Sequence, residues 1–367
     1  FKIGLAFKGN VVNWFISFWQ TKEVFRPEKV SRKNLILSLI LLFAFLTRII
    51  NLWYPQSYIF DEVYHAFTAQ EIIKGNKAAW EWWNTPPKGF AYEWTHPPLA
   101  KLIMAGGLIL GRSLGIKNDF FSWRLPATIF GVGVIFLTYL LAKRLFKSEK
   151  IALLTSFLLS CEGLTFVMSR VGMADIYFLF FMLLTVWLVL DRRWLLTSLS
   201  WGLAIATKWT GIYLFPLILF IFVLQGQTLQ SVKSVLIKLV CLIILPPLIY
   251  LLSYLPFFVW GHTPKQFIQL QEQMWWYHTR LKATHNYQST PLTWPFDLRP
   301  VWFYVNYQPH ATGNIYALGN PIIFWAGLVV LPLFVWDIIS RKSKTLLFIL
   351  LAYFLFWLPW IFSPRIM

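Results

Sequence analysis

The two residues best suited to chemistry stand side by side. Asp61 and Glu62 follow just beyond the first long apolar run, in Ile59–Phe60–Asp61–Glu62–Val63–Tyr64–His65. With only 15 acidic residues against 33 basic ones, adjacent carboxylates at a membrane exit call for a reason. A carboxylate placed there can draw a proton from a hydroxyl acceptor, and an enzyme working on a lipid-carried substrate needs its base at that level. Both acids are therefore candidate catalytic residues, with Tyr64 and His65 as candidate substrate contacts beside them. The competing structural reading is a helix cap. An amphipathic segment running to about Lys74, with Gly75 as its stop, would need one capping carboxylate but not two.

Other charged groups recur where charge is costly. In Glu93–Trp94–Thr95–His96–Pro97–Pro98–Leu99–Ala100–Lys101, a rigid double proline separates His96 from Lys101 at the entry to an apolar run. Either the two residues contact substrate, or they are an interfacial anchor with a snorkelling lysine. Trp80, Trp82, Trp83, Phe90, Tyr92 and Trp94 crowd the same loop and suit a headgroup-level aromatic belt, or stacking on a sugar or lipid. Arg124 opens an apolar segment, Ser169–Arg170 precedes Asp175 in a short hairpin, and Lys208 lies inside an apolar stretch. Charges in or near hydrocarbon usually serve a ligand or a partner. Arg124, Arg170 and Lys208, with Asp175, are thus candidates to bind one lipid-linked phosphate, unless Arg170 and Asp175 form a plain ion pair. His285, in a second polar loop, is a further candidate contact. Histidine spacings of seven or more residues in that loop form no zinc pattern. No metal ligand is assigned and no cofactor is expected to be required; a divalent metal is only weakly signalled.

The elements that must position these groups are membrane helices. Hydrophobic residues make up 57% of the 367, so the class is an all-α polytopic membrane protein. Spans are expected at roughly 34–50, 125–142, 151–168, 174–190, 194–207, 209–225, 237–258, 319–338 and 345–361, about nine or more in all. A net charge of +18 would suggest nucleic acid in a soluble chain, but the basic residues cluster in short links: Lys29–Arg32–Lys33, Lys143–Arg144–Lys147–Lys150, Arg192–Arg193, Lys233–Lys238 and Arg341–Lys342–Lys344. Set on the cytoplasmic face, they orient the chain and leave two large outer loops, 51–123 and 259–318. No nucleic-acid partner is expected. The apolar stretch 97–114 breaks the parity and is read as re-entrant or interfacial. All six histidines then fall on the outer side. Cys161 and Cys241 both sit in apolar runs and read as packing. A rival reading is a lipid flippase or transporter, which inverted internal repeats would favour, and none is found.

Taken together, these stretches resemble the protein O-mannosyltransferase family. The resemblance rests on Phe60–Asp61–Glu62, His96–Pro97–Pro98–Leu99–Ala100–Lys101, Trp123–Arg124–Leu125–Pro126, Ser169–Arg170 with Asp175, and Ala206–Thr207–Lys208–Trp209–Thr210–Gly211. In the C-terminal half it rests on His285–Asn286–Tyr287–Gln288–Ser289, Trp294–Pro295, Arg299–Pro300 and Leu318–Gly319–Asn320–Pro321. It implies the GT-C glycosyltransferase architecture: a cytoplasmic segment 1–33, a catalytic membrane domain 34–258, and a second outer loop with an incomplete C-terminal membrane domain over 259–367. It also implies transfer of mannose, with inversion, from polyprenyl-phosphate mannose to Ser or Thr of an exported polypeptide. Asp61 would match the family's base, on the extracytoplasmic face of the cell membrane. The alternative within the class is a GT-C enzyme moving another lipid-linked sugar onto a glycan or lipid. Two departures stand out. The family often has an acid two residues before the histidine of its His–Pro–Pro motif, where this chain has Trp94 with Glu93 beside it. The loop 259–318 is also too short for the soluble insert of eukaryotic members, which points to a bacterial-type enzyme.

The parity reading is tested by single cysteines at Ser113 and Lys147 in a chain lacking Cys161 and Cys241. A membrane-impermeant thiol reagent should label position 113 and not 147 in intact cells; labelling at 147 would turn 97–114 into a true span.

Overall fold

The computed structural model describes residues 32–224, 232–282 and 288–362. His285 lies outside them. Two units are distinguished, Phe1–Leu39 and Ile40–Met367. The described part of the first is the opening of helix α1, Arg32–Ile49.

In the second unit, the acid-bearing segment folds as a single 3-10 turn, Phe60–Val63, followed by α2, His65–Ile73. The expected glycine stop is present, since Gly75 takes φ +78°, a conformation that costs glycine little. Next come α3, Leu99–Ser113, and α4, Asp119–Phe146, the latter capped by the Asn118 side chain on Phe121 N–H. At 15 residues α3 rises about 22 Å, short of a full crossing at 1.5 Å per residue. The expected span 151–168 is broken. Helix α5, Glu149–Ser160, ends at Cys161, and α6, Gly163–Met168, restarts with Glu162 accepting from Leu164 N–H and Thr165 N–H.

Helices α7, Asp175–Leu190, and α8, Trp194–Thr207, follow, and the chain leaves helical geometry at Lys208. A 3-10 turn at Trp209–Tyr213 leads into α9, Leu214–Leu224. The remaining helices are α10, Val232–Ser253, α11, Leu255–Val259, α12, Pro264–Arg280, α13, Pro321–Arg341, and α14, Lys344–Ile361.

Among the described residues, four helices are long and apolar enough to cross a membrane: Asp119–Phe146, Lys233–Ser253, Pro321–Arg341 and Lys344–Ile361. Asp175–Leu190, Trp194–Thr207 and Trp209–Val223 are apolar but shorter. Leu236, Ile237, Val240, Ile243 and Ile244 lie exposed along α10, and Ile322, Val329, Leu333 and Trp336 along α13. Such apolar surface suits lipid rather than water.

The all-α expectation needs one correction. Strands β1, Val301–Gln308, and β2, Ala311–Ala317, form an antiparallel hairpin pairing Val301 with Ala317 and Gln308 with Ala311. The run Val301–Trp302–Phe303–Tyr304–Val305 is β-branched and aromatic, which favours a strand over a helix. Phe303 is buried with Ile59, Val171 and Met173, so the hairpin packs beside the acid segment. The largest buried cluster joins the first loop to the helices beneath it, through Phe67, Trp80, Tyr92, Met104, Leu108, Trp123, Ile176 and Tyr177, and includes Phe257 and Met274. This loop is therefore part of the core, which is how a loop can hold chemistry still.

One approach is tight enough to test. A Cβ added at Gly131 of α4 would stand 2.1 Å from Ser169 Oγ, in the Ser169–Arg170 hairpin. Gly131→Val should lower stability by about 1–3 kcal/mol through overpacking, more than the ~0.5–1 kcal/mol that replacing a helical glycine returns. The midpoint of thermal unfolding in detergent is the readout, and an unchanged midpoint would show that helix and hairpin do not meet so closely.

Candidate functional site

The adjacent acids have opposite environments. Glu62 is fully buried, and both its oxygens are saturated. Oε1 accepts from Trp123 Nε1 (3.1 Å), Arg124 Nε (2.8 Å) and Gly172 N–H (2.8 Å). Oε2 accepts from Ile59 N–H (2.9 Å) and Arg124 Nη2 (2.7 Å). A carboxylate so engaged has no lone pair for a substrate proton. Its burial and five donors fix the turn on which Asp61 sits. Asp61 itself is partly exposed.

Arg124 is likewise enclosed. It is 1% exposed, and every guanidinium nitrogen finds a protein acceptor. Besides Glu62, Nη1 donates to Leu52 O (3.3 Å) and Pro55 O (3.0 Å), and Nη2 to Ser57 O (2.8 Å). One side chain thereby ties loop residues 52–57 to the acid turn and leaves no nitrogen for a lipid phosphate. Arg170 serves the end of α1, donating from Nη1 to Thr47 O and Arg48 O (2.8 Å each) and from Nη2 to Ile50 O (2.9 Å). Those carbonyls lack helical partners, so the guanidinium works as a C-terminal cap.

Asp175 does not pair with Arg170. Its Oδ1 accepts from Lys208 Nζ at 2.7 Å, joining the start of α7 to the break after α8. Both side chains are partly exposed, at 36% and 22%. Of the three cations expected to meet a phosphate, Arg124 is sealed and Arg170 is taken up by backbone carbonyls, whereas Lys208 is partly exposed and held by the Asp175 carboxylate.

The histidines converge. The rings of His65 and His96 lie 5.6 Å apart, and His278, from α12, packs against His96 at 5.2 Å. Glu93 Oε1 accepts from Thr95 Oγ1 (2.6 Å) and His96 N–H (2.9 Å) and lies 3.0 Å from His96 Nδ1. Lys101, 3% exposed, caps this loop by donating to the carbonyls of Glu93 and His96 (2.9 Å to the latter). It contacts protein oxygens rather than open solvent. Burial pushes His65 down to about 3, so its imidazole is neutral. Tyr64 is 39% exposed, and its phenol is raised by partial burial with Asp61 and Glu93 nearby.

Phe60 stacks on Phe303 of the hairpin, centroids 4.4 Å apart. A cavity of about 850 Å³ adjoins this stack and is lined by Ile59, Arg170, Tyr304, Asn306, Asn314 and Tyr316 among others. Its phenols and amides lie over an apolar wall, a surface suited to an extended chain with polar groups. Sequence reasoning quoted Trp123 and Glu93 in motifs without giving either a site role, and passed over Gly172 and the hairpin. Trp123 and Gly172 could have been found only as neighbours of Arg124 and Arg170.

Two family descriptions match adjoining parts of the chain. Residues 95–251 match dolichyl-phosphate-mannose-protein mannosyltransferase, and residues 263–367 match the C-terminal four-transmembrane region of protein-O-mannosyltransferase. A polyprenol-phosphate-mannose–protein mannosyltransferase of Mycobacterium tuberculosis is 25% identical over 424 residues, covering 92% of this chain and 77% of that protein. The S. cerevisiae protein O-mannosyltransferase Pmt1-Pmt2 complex, solved bound to the sugar donor, is similar in structure, with a TM-score of 0.73 at 15% identity over 93% of this chain and 83% of that one. ArnT from Cupriavidus metallidurans, solved bound to undecaprenyl phosphate, is similar with a TM-score of 0.55 at 16% identity, over 90% and 56%. These likenesses show the GT-C fold.

The anchor carries a stability prediction. Glu62→Gln leaves Arg124 buried without its counter-charge and should cost about 3–5 kcal/mol. Replacing both members by Met should recover most of that loss, because a buried ion pair and a packed apolar pair are of similar stability. Thermal unfolding of the singles and the double checks this; a single variant as stable as wild type would contradict the anchor role.

Proposed function

Because this chain belongs to the protein O-mannosyltransferase family, we propose that it transfers mannose from polyprenyl-phosphate mannose to Ser or Thr hydroxyls of exported polypeptides. The active site faces the extracytoplasmic side of the cell membrane. The observation that carries the residue assignment is the split between two adjacent acids, Glu62 sealed by five donors and Asp61 partly exposed beside it. Asp61 is the base and Glu62 its positioning residue.

The chemistry follows from that division. A hydroxyl is a weak nucleophile until its proton is drawn off, and a carboxylate held on a rigid turn can do so without reorganising. Asp61 takes the proton as the acceptor oxygen forms its bond to the anomeric carbon of mannose. The bond from that carbon to the phosphate oxygen breaks, and polyprenyl phosphate departs with the electron pair. Attack from the face opposite the leaving group inverts the anomeric centre. Lys208 meets the phosphate as its negative charge grows, exchanging part of its contact with Asp175 for the new anion. The cavity beside Ile59 and Phe303 takes the acceptor, where Asn306, Asn314 and Tyr316 offer groups to an extended main chain.

Asp61→Asn keeps the size of the side chain and removes its basicity. Transfer to a Ser/Thr peptide should fall by roughly 10²–10⁴ while donor binding stays near normal; near-normal turnover would falsify the assignment. Lys208→Gln should instead weaken donor binding by about 1.5–3 kcal/mol, the range for a charged hydrogen bond. Unaltered donor affinity with reduced acceptor affinity would move Lys208 out of the phosphate site.

A further inference from the structure

Three side chains from two stretches of the chain meet, one of them on the segment that carries the proposed base. His65 opens α2, four residues after Asp61, and Glu93 and His96 lie on the loop before α3. One potential ligand atom from each of the three lies within 4.8 Å of the other two. His65 is 4% and Glu93 6% exposed, and His96 is partly buried. The proposed transfer uses none of them.

His65 is the unexplained member. Its Nδ1 is buried with no hydrogen-bond partner, whereas native proteins nearly always satisfy such an atom. Glu93 is asymmetric in a related way: its hydrogen bonds with Thr95 and His96 all fall on Oε1. The loop is also fixed from outside. Glu93 N–H donates to Thr68 Oγ1 (2.7 Å), Lys101 holds the carbonyls of Glu93 and His96, and His278 Nε2 lies 2.6 Å from Thr95 O. A rigid outer shell that orients two imidazoles and one carboxylate is what metal sites require.

We propose that His65, Glu93 and His96 bind one divalent transition metal of the zinc class, pinning the Asp61-bearing segment to the loop 93–101. Two imidazole nitrogens with one carboxylate oxygen form a three-ligand set that zinc accepts, leaving a fourth position open. Imidazole ligands favour such a metal over magnesium, which prefers oxygen and water. Around a tetrahedral zinc the ligand atoms stand about 3.3 Å apart, given bonds of about 2.0–2.2 Å. Side-chain adjustments of about an ångström therefore close the present cluster onto an ion. Lys101 opposes this only in part, since its ammonium is directed at two carbonyl oxygens.

The test uses the full chain purified in detergent, stripped with a chelator and refilled with zinc. Elemental analysis after gel filtration should find about one zinc per chain, and refilling should raise the unfolding midpoint of the stripped wild-type protein. Cobalt(II) in place of zinc should give the visible absorption of a low-symmetry site containing nitrogen ligands. His65→Gln and Glu93→Gln should each reduce zinc affinity by more than ~100-fold, beyond the ~10–100-fold cost of losing an outer-shell partner; His262→Gln, which alters an imidazole paired with Glu81 elsewhere, should leave it unchanged. A wild-type chain that retains no zinc above a buffer blank, with no change in midpoint, overturns the proposal. So does zinc retained equally by folded His65→Gln and Glu93→Gln. The first result needs no variant, so a misfolded mutant cannot obscure it.

Discussion

A carboxylate removed from water must be matched by an opposite charge and a full set of donors, and the site described here is built around one such match. Glu62 and Arg124 lie 0% and 1% exposed, 2.7 Å apart. Pairs of this kind add little net stability, because desolvation roughly cancels the attraction. Their effect is geometric. Arg124 reaches Glu62 and three carbonyls of residues 52–57 at once, so the start of the first loop, the acid turn and α4 are joined through one guanidinium. Trp123 adds an indole N–H to the same carboxylate and stacks on Tyr58 at 5.2 Å, while Gly172 brings the hairpin before α7 into contact with it. A Cβ at 172 would stand 3.0–3.1 Å from Trp123 and Met104, a tight fit that the glycine leaves open.

The other charged groups then fall into distinct duties. Arg170 caps α1 and Lys101 caps the 93–101 loop; each is a cation directed at backbone carbonyls that would otherwise lack donors. Lys208 and Asp175 form the one partly exposed pair among them, placed where α8 breaks. A pair open to solvent can exchange partners at little cost, whereas a sealed one cannot. That contrast is why the phosphate is proposed to meet Lys208 and not Arg124.

Much of this was legible beforehand. The apolar runs at 319–338 and 345–361 became Pro321–Arg341 and Lys344–Ile361, because an unbroken apolar stretch bounded by Asn320–Pro321 and by Ser343 leaves the chain few alternatives. Lys208 announced the break between two short apolar segments. Pairing was harder to read. Nearness in sequence suggested Arg170 with Asp175, yet Asp175 opens a helix whose neighbour in space is the end of α8, and Lys208 is there instead. Glu62 and Arg124 are 62 positions apart, and the three groups His65, Glu93 and His96 come from α2 and the loop before α3. Such contacts depend on how helices pack, which local pattern does not encode. The hairpin was hidden for a different reason: its aromatic run, in a chain with 19% aromatic residues, looks like more interfacial belt.

The central claim is that Glu62 acts only through Asp61, and a double-mutant cycle on the transfer rate addresses it directly. Single-turnover rates with saturating donor would be compared for wild type, Asp61→Asn, Glu62→Gln and the double variant, each on the fraction that remains folded in detergent. If Glu62 serves to place the base, removing it after the base is gone changes nothing, and the double variant should be no slower than Asp61→Asn. Multiplicative losses, with the double variant slower by the product of the two single effects, would give Glu62 a catalytic part of its own and contradict the division of labour between the two acids.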